Sequence, residues 1–177
     1  QSFVRNAADV LDLKRHLASV KGSHIPVLAK IEDRFGVENL GEVLEVADGI
    51  LVARGDMGVC LPQEQVPILQ KDIIMRGQRA GKPVVTATQM LESMIENRNP
   101  TRAEVADVAN AILDGTAVVM LSAETASGKY PVDAAAQMER ICRVTESVYP
   151  FATHFERARG PEEVDMTAAM AYAAREV

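Results

Sequence analysis

The chain has 177 residues, of which 47% are hydrophobic and 25% are charged, a composition typical of one folded domain with room for part of a second. It excludes a disordered, collagen-like or coiled-coil protein. The net charge of −6 gives no general electrostatic reason to bind nucleic acid or acidic lipid, so neither is expected as a partner. Any anion-binding site is therefore expected to be local.

Cysteines, histidines and apolar runs give no sign of disulfides, zinc or membrane contact. Cys60 and Cys142 form no CxxC pair, and the three histidines lack metal-ligand spacing. No apolar run approaches the roughly 18 residues of a membrane span, and no leader opens the chain. A cytoplasmic protein is expected. Because the chain opens on Gln1 and ends without a helix stop signal, we expect a fragment or missing termini.

The first predicted elements are the tail of a strand at Ser2–Arg5 and a helix after it. Asn6 is a suitable N-cap for that helix, and Gly22 ends it. Helices over Gly36–Val46 and Glu64–Ala80 follow from the spacing of their apolar residues. These three helices are each expected to bury one apolar stripe.

The later helices have clearer start signals. Thr101 and Glu104 form a TxxE capping box, so a helix is expected to begin there and to end before Gly115. Another enters at Pro131 and runs to about Ser147. Residues 154–163 are polar and typical of a linker, and a final helix is expected after them.

Four short apolar runs rich in Val, Ile and Leu separate these helices. They are Ile25–Ile31, Gly49–Ala53, Pro83–Ala87 and Ala117–Leu121. Continuous apolarity predicts strands buried on both faces, as in a parallel sheet joined by right-handed crossover helices. The fold class is therefore α/β, and four βα units are either half of a (β/α)8 barrel or a small doubly wound sheet.

Polar side chains follow the carboxyl end of every predicted strand, where parallel α/β folds bind ligands. They are Lys30 and Glu32, Arg54–Asp56, Thr88 and Gln89, and Ser122–Thr125. Lys30 and Glu32 are two residues apart, so they point to the same side of an extended strand. They form either a structural salt bridge or a pair in which lysine neutralises an oxyanion and glutamate holds a cation.

Glu32 and Asp56 are the candidate metal ligands, because they follow neighbouring predicted strands. Gly55 and Gly58 on either side of Asp56 would let the backbone approach a ligand closely. Mg²⁺ prefers one or two carboxylates, with water and phosphate oxygens completing its shell. The pattern therefore predicts a magnesium site with open positions for substrate.

The other strand ends allow more than one interpretation. Thr88 and Gln89 could cap the next helix, or the Thr88 hydroxyl could orient a substrate or relay a proton. Ser122 and Glu124 are as compatible with loop or subunit contacts as with a site.

Five motifs in this order resemble the pyruvate kinase family between Ser2 and Ser147. The motifs are Lys30–Glu32, Val52–Gly58, Lys82–Pro83 with Ala87–Met94, Pro100–Glu104, and Met120–Ser122 with Glu124–Ala126. The resemblance implies a (β/α)8 barrel of which residues 1–150 supply the end of strand 4 and βα units 5–8. Residues 151–177 would then be the linker and first helix of an α/β C-terminal domain.

The resemblance also implies an activity and roles for site residues. The family transfers a phosphoryl group between phosphoenolpyruvate and ADP, giving pyruvate and ATP, with Mg²⁺ and K⁺, as a cytoplasmic homotetramer. Lys30 would contact the transferring phosphoryl group, and Glu32 and Asp56 would hold Mg²⁺. Backbone N–H groups of Gly55 and Asp56, at the start of a short helical turn, would receive the substrate carboxylate. Thr88 would help deliver a proton to the methylene carbon.

Two positions depart from the family pattern, and parts of the family's site belong to other strands. Cys60 stands where a glutamate is usual, and Ala123 replaces a usual glycine, which puts fine tuning in doubt. The family's K⁺ ligands, its phosphate-binding arginine and its lid belong to the first half of the barrel. We therefore expect the 177 residues alone to be inactive. A non-catalytic fragment that binds metal or phosphoenolpyruvate, and a Mg²⁺-dependent pyruvate aldolase or lyase, remain alternatives.

Overall fold

The computed structural model describes residues 1–150, which form a parallel sheet with helices packed against it. The strands are β1 (Leu28–Ile31), β2 (Gly49–Ala53), β3 (Val84–Ala87) and β4 (Val118–Met120). The helices are α1 (Ala7–Ser19), α2 (Arg34–Glu38), α3 (Leu40–Val46), α4 (Arg54–Cys60), α5 (Val66–Arg79), α6 (Arg102–Leu113), α7 (Ala123–Ala126) and α8 (Pro131–Glu146). Short 3₁₀ turns lie at Gln63–Gln65 and Glu92–Ile95. The predicted linker at 154–163 and the final helix lie outside the described residues.

The order of the strands distinguishes the two predicted architectures. The strands pair in parallel in the order β1-β2-β3-β4, with Ile31 opposite Val52 and Ala53 opposite Ala87. A doubly wound sheet reverses its strand order at a switch point, and this sheet does not. The described residues therefore form part of a (β/α) barrel.

The two faces of the sheet have different surroundings. One face packs into the larger core, in which residues of β1–β3 meet Val10 of α1, Leu40 of α3 and Ile73 of α5. The opposite face carries a smaller cluster of Leu51, Ala53, Val85, Ala87 and the partly buried Met120. A further core between the loop after β3, α6 and α8 includes Met94, Val108 and Ile141. Lys30 lies on the side of β1 away from the larger core, since its neighbours Ala29 and Ile31 are in that core.

Helix α6 confirms the predicted capping box. The Thr101 hydroxyl accepts from the Glu104 N–H at 3.2 Å, and the Glu104 carboxylate accepts from the Thr101 N–H at 2.7 Å. Such a cap contributes about 1 kcal/mol to helix stability. Asn6 likewise caps α1 by accepting from the Asp9 N–H at 3.1 Å.

The single helix predicted over Gly36–Val46 was wrong, because α2 and α3 divide at Asn39. Asp33 starts the first of them by accepting from the Gly36 N–H at 2.9 Å. Asn39 leaves helical geometry at φ −95° and ψ 15°, and its side-chain amide donates to Arg5 O at 2.9 Å. The apolar period continues across the break, so it conceals the bend.

The predicted strand tail at Ser2–Arg5 is not a regular strand. It lies beside β1, since Lys30 N–H donates to Gln1 O at 2.9 Å and Val4 N–H donates to Lys30 O at 3.3 Å.

Among residues 1–150, every helix is too short or too polar to span a lipid bilayer.

Candidate active site at the carboxyl edge of the sheet

Lys30 and Glu32 meet at the end of β1, as their spacing predicts. Lys30 Nζ lies 2.7 Å from Glu32 Oε1, and the Glu32 side chain is 1% exposed, whereas that of Lys30 is 32% exposed. The other carboxylate oxygen accepts from the Phe3 N–H at 2.5 Å. The salt bridge of the structural interpretation therefore exists. It also holds a buried carboxylate and a partly exposed ammonium side by side, as the ligand interpretation requires.

Asp56 lies in the first turn of α4, which begins directly after β2. Its side chain is exposed and makes no hydrogen bond or ion pair to any residue of the 1–150 range. Because β1 and β2 are paired neighbours, the ends that carry Glu32 and Asp56 lie next to each other in the sheet. Within residues 1–150, one engaged carboxylate and one without a partner thus lie at adjacent strand ends.

The carboxylate oxygens of Glu32 and Asp56 are of the ligand type that a magnesium ion prefers. The part of the chain that the structure describes contains no cluster of three or more His, Cys, Asp or Glu side chains suited to a metal. Mg²⁺ does not need one, because one or two carboxylates with water and substrate oxygens suffice. Each oxygen of Glu32 is already used once but retains a second acceptor position.

Thr88 follows β3 and does not cap a helix, so that interpretation was wrong. Thr88 and Gln89 adopt φ values of 68° and 55°, in the left-handed region that non-glycine residues rarely enter. The hydroxyl of Thr88 donates to Ala87 O at 2.6 Å and accepts from the Gly55 N–H at 2.8 Å. The structure therefore brings two predicted site residues, Gly55 and Thr88, into direct contact.

Arg54 is a site component to which the sequence motifs assign no role. Its side chain is buried, and its guanidinium donates to Thr88 O at 2.8 Å and to Gln89 O at 3.2 Å. On its other side, the guanidinium lies 2.6 Å from the Asp107 carboxylate of α6. A charged residue directly after a fully buried strand was the available signal, because a buried charge requires partners.

Glu124 joins two loops of the same edge. It is 2% exposed, and its carboxylate accepts from the Leu91 N–H at 3.1 Å and from the Ser122 N–H at 2.7 Å. This arrangement matches the loop-contact interpretation of Ser122 and Glu124.

Glu104 supports the loop after β3 from the start of α6. Burial alone would raise the pKa of this carboxyl, but hydrogen bonds from Ser93 and Thr101 outweigh burial, and the pKa is lowered. The Ser93 hydroxyl and N–H each donate to it at 2.6 Å. The carboxylate form is therefore the one that holds this loop.

Comparison with known proteins identifies the family. Residues 1–135 match the family model described as pyruvate kinase, barrel domain. The chain is 49% identical to a pyruvate kinase of Sporosarcina psychrophila over 98% of this chain and 30% of the relative. It is 56% identical to one of Geobacillus stearothermophilus over 82% of this chain and 25% of the relative. One of Dictyostelium discoideum is 55% identical over 83% of this chain and 29% of the relative.

The chain belongs to the pyruvate kinase family. It spans about a quarter to a third of the length of the curated pyruvate kinases that it matches. The two positions where the sequence departs from the expected family pattern lie at the ends of short helices. Cys60 is the exposed last residue of α4, and Ala123 begins α7. Neither replaces Lys30, Glu32 or Asp56.

Proposed function

We propose that the full-length protein carrying this sequence transfers a phosphoryl group from phosphoenolpyruvate to ADP, giving pyruvate and ATP. Membership of the pyruvate kinase family supports the reaction class. The observation that carries the proposal is the contact of Lys30 with buried Glu32, beside the strand end that carries the exposed Asp56. A cation for phosphate and carboxylates for a divalent metal are what phosphoryl transfer needs, because positioning and charge neutralisation supply most of its acceleration.

Charge neutralisation is the proposed role of the first two strand ends. The partly exposed ammonium of Lys30 would neutralise charge on the phosphoryl group and on the enolate oxygen. Glu32 and Asp56 would hold Mg²⁺, which, when bound, polarises the phosphate and enolpyruvate oxygens. K⁺ is the second proposed cofactor, with its ligands outside these 177 residues.

Orientation and proton delivery are the proposed roles of Gly55 and Thr88. The N–H groups of Gly55 and Asp56 would receive the substrate carboxylate. The Gly55 N–H already donates to Thr88 Oγ1, so it would be shared between the two acceptors in a three-centre bond. The Thr88 hydroxyl would lie near the methylene carbon and help to deliver its proton.

The remaining parts of the proposal rest on the family alone. Residues 1–150 would be the second half of the barrel, and residues 151–177 would be the linker and first helix of the C-terminal domain. The protein would be a cytoplasmic homotetramer. The isolated 177-residue chain would not turn over phosphoenolpyruvate.

A coupled assay for pyruvate on the full-length protein tests the function. Turnover should need phosphoenolpyruvate, ADP and Mg²⁺. Asp56→Asn should lower kcat/KM by about 30- to 1000-fold, since a metal contributes several kcal/mol to the transition state. The matched control, Asp72→Asn, removes a carboxylate that pairs with Arg76 within α5, and it should leave kcat/KM unchanged.

Three results would contradict parts of this proposal. Mg²⁺-dependent turnover that Asp56→Asn leaves intact would remove Asp56 from the metal shell. Binding of phosphoenolpyruvate without turnover would favour the non-catalytic alternative. Pyruvate formation by the isolated 177-residue chain, at a rate comparable to the full-length protein, would contradict its proposed inactivity.

A further inference from the structure

The segment after β3 is held in a conformation that its residues do not favour. Thr88 has φ 68°, and a β-branched residue in the left-handed region costs about 1 to 3 kcal/mol. Gln89 beside it has φ 55°. Such a conformation persists only where surrounding contacts over-determine it. Those contacts therefore decide where the Thr88 hydroxyl lies.

Arg54 supplies the strongest of those contacts. Nη2 donates to Thr88 O at 2.8 Å and to Gln89 O at 3.2 Å, and Nε donates to Thr88 O at 3.2 Å. A planar guanidinium bridges two consecutive carbonyls with fixed spacing, which a lysine ammonium cannot do. Arg54 thus fixes the orientation of the two peptide groups on either side of the Gln89 Cα.

Contacts outside the sheet anchor the guanidinium in turn. Nη1 donates to Asp107 of α6 at 2.8 Å and to Gln70 of α5 at 3.3 Å, and Nη2 also contacts Met90 Sδ at 2.9 Å. Each of the three guanidinium nitrogens therefore donates to protein atoms. With its donors engaged in this way and its side chain 9% exposed, Arg54 is placed to hold the loop rather than to bind a phosphate.

We propose that Arg54 is a positioning residue that acts through Thr88. It holds Thr88 in the left-handed conformation and so keeps Thr88 Oγ1 against the Gly55 N–H. From this position the hydroxyl would help proton delivery after its hydrogen turns away from Ala87 O. The Asp107 carboxylate positions the guanidinium for this task. The inference rests on the proposed function only in the catalytic use of Thr88. The geometric part, that Arg54 maintains the contact between Thr88 and Gly55, stands without it.

Arg54→Lys in the full-length protein tests the inference, with Lys71→Met as the matched control. Lys71 pairs with Asp114 in the same cleft between α5 and α6 but does not touch the loop after β3. Two readouts are needed: the kinetic constants of pyruvate formation, and hydrogen exchange of the Gly55 amide.

Arg54→Lys should lower kcat by about 100-fold, the effect of misplacing a reacting group by about 1 Å, with a smaller change in KM. The Gly55 amide should exchange about tenfold faster, because its acceptor is no longer held in place. Lys71→Met should change neither. Should Arg54→Lys fail to fold, Asp107→Asn provides the same comparison, with smaller shifts in the same directions.

Two results would overturn the inference. Unchanged kcat and unchanged Gly55 exchange in Arg54→Lys would show that bridging of the carbonyls is not needed. A fall in kcat without faster Gly55 exchange would show that Arg54 does not act through Thr88. If the wild-type protein forms no pyruvate, the proposed function fails, and the Gly55 exchange comparison still decides the role of Arg54.

Discussion

The amino ends of the strands lie at one edge of the sheet, the amino edge, and their carboxyl ends lie at the other. At the amino edge both carboxylate oxygens of Asp48 accept hydrogen bonds, whereas at the carboxyl edge Asp56 has no partner among residues 1–150. Asp48 accepts from the Val27 N–H at 2.7 Å and pairs with Lys14 at 2.9 Å. Both residues lie in the segments that flank β2, one before the strand and one after it. The same residue type therefore closes a turn at one edge and remains available to a ligand at the other.

Backbone strain also differs between the amino and carboxyl edges of the sheet. The turns that lead into β3 and β4 place their positive φ angles at Gly81 and Gly115, where no Cβ penalty arises. The segment that leaves β3 places them at Thr88 and Gln89. The turns into β3 and β4 thus use residues that suit their conformations, whereas the segment that leaves β3 has two consecutive residues that do not. Lys21, at φ 63° in the turn before β1, is an exception at the amino edge. This difference is what we expect where stability is built at one edge and chemistry at the other.

The largest expected effect is the loss of activity when a hydroxyl is removed at the carboxyl edge. Removal of a hydroxyl at the amino edge should lower stability and leave activity unchanged. Thr88→Val in the full-length protein removes the hydroxyl while keeping the β-branched shape. We expect kcat for pyruvate formation to fall about 100-fold or more, the usual contribution of a positioned proton-transfer group. The free energy of unfolding should fall by about 1 to 3 kcal/mol, since the hydroxyl's hydrogen bonds to Ala87 O and from the Gly55 N–H are both lost.

Thr116→Val is the matched change at the amino edge. The Thr116 hydroxyl lies 2.9 Å from both Thr86 Oγ1 and Val84 O. Its loss should lower the free energy of unfolding by about 1 to 3 kcal/mol, because the buried Thr86 hydroxyl loses a partner. It should leave kcat unchanged. Equal losses of kcat in the two variants would break the comparison.

Gly77→Ala tests packing behind the amino end of β3 and should affect stability alone. A Cβ on Gly77 would lie 2.3 Å from the Cγ2 of buried Val84, so α5 or β3 must shift. Such overpacking costs about 1 to 3 kcal/mol, of which the higher helix propensity of alanine offsets about 1 kcal/mol. Chemical denaturation should show a net loss of stability with kcat retained.

Gly41→Ala is the control for this helix-propensity term. A Cβ there approaches only the Arg76 side chain, at 3.5 Å, so the variant should be stabilised by up to about 1 kcal/mol. A Gly77→Ala protein as stable as Gly41→Ala would contradict the close packing of α5 on β3.

Asp48→Asn should have the smallest effect, and one that depends on pH. The hydrogen bond from Lys14, with that from Val27, lowers the pKa of Asp48. A lowered folded-state pKa stabilises the fold above the unfolded value of about 3.9, and this contribution is lost as the pH falls through the folded value. After solvent screening we expect a loss of about 1 kcal/mol or less at pH 7. Wild type and variant should converge as the pH falls through the lowered folded-state pKa of Asp48, and a difference that stays equal from pH 7 down to acid pH would contradict the assignment.

The sequence predicted those features that depend on near neighbours. Lys30 and Glu32 share one side of a strand because alternation is local, and Thr101 and Glu104 cap a helix because they are three residues apart. The strand positions followed from continuous apolar runs. In each case the interaction lies within one element or one turn, so composition and spacing suffice.

The rest of the site depends on contacts between distant residues, and local preferences argue against it. Arg54 reaches Thr88 across 34 residues and Asp107 across 53. Threonine disfavours positive φ, so nothing near Thr88 in the sequence predicts its conformation. The break at Asn39 was concealed in the opposite way, by an apolar period that continues through it.

The in-order parallel sheet also has a consequence for how the chain folds. Leu28 pairs with Gly49, Ile50 with Val84 and Val85 with Val118, so each pairing closes a loop of roughly 20 to 35 residues and none can form as a hairpin. Each pairing pays loop-closure entropy before its contacts form, which makes this topology intrinsically slow to assemble. During synthesis, the four strands emerge in the order in which they pair, so each new strand can add beside the strand that precedes it in the chain.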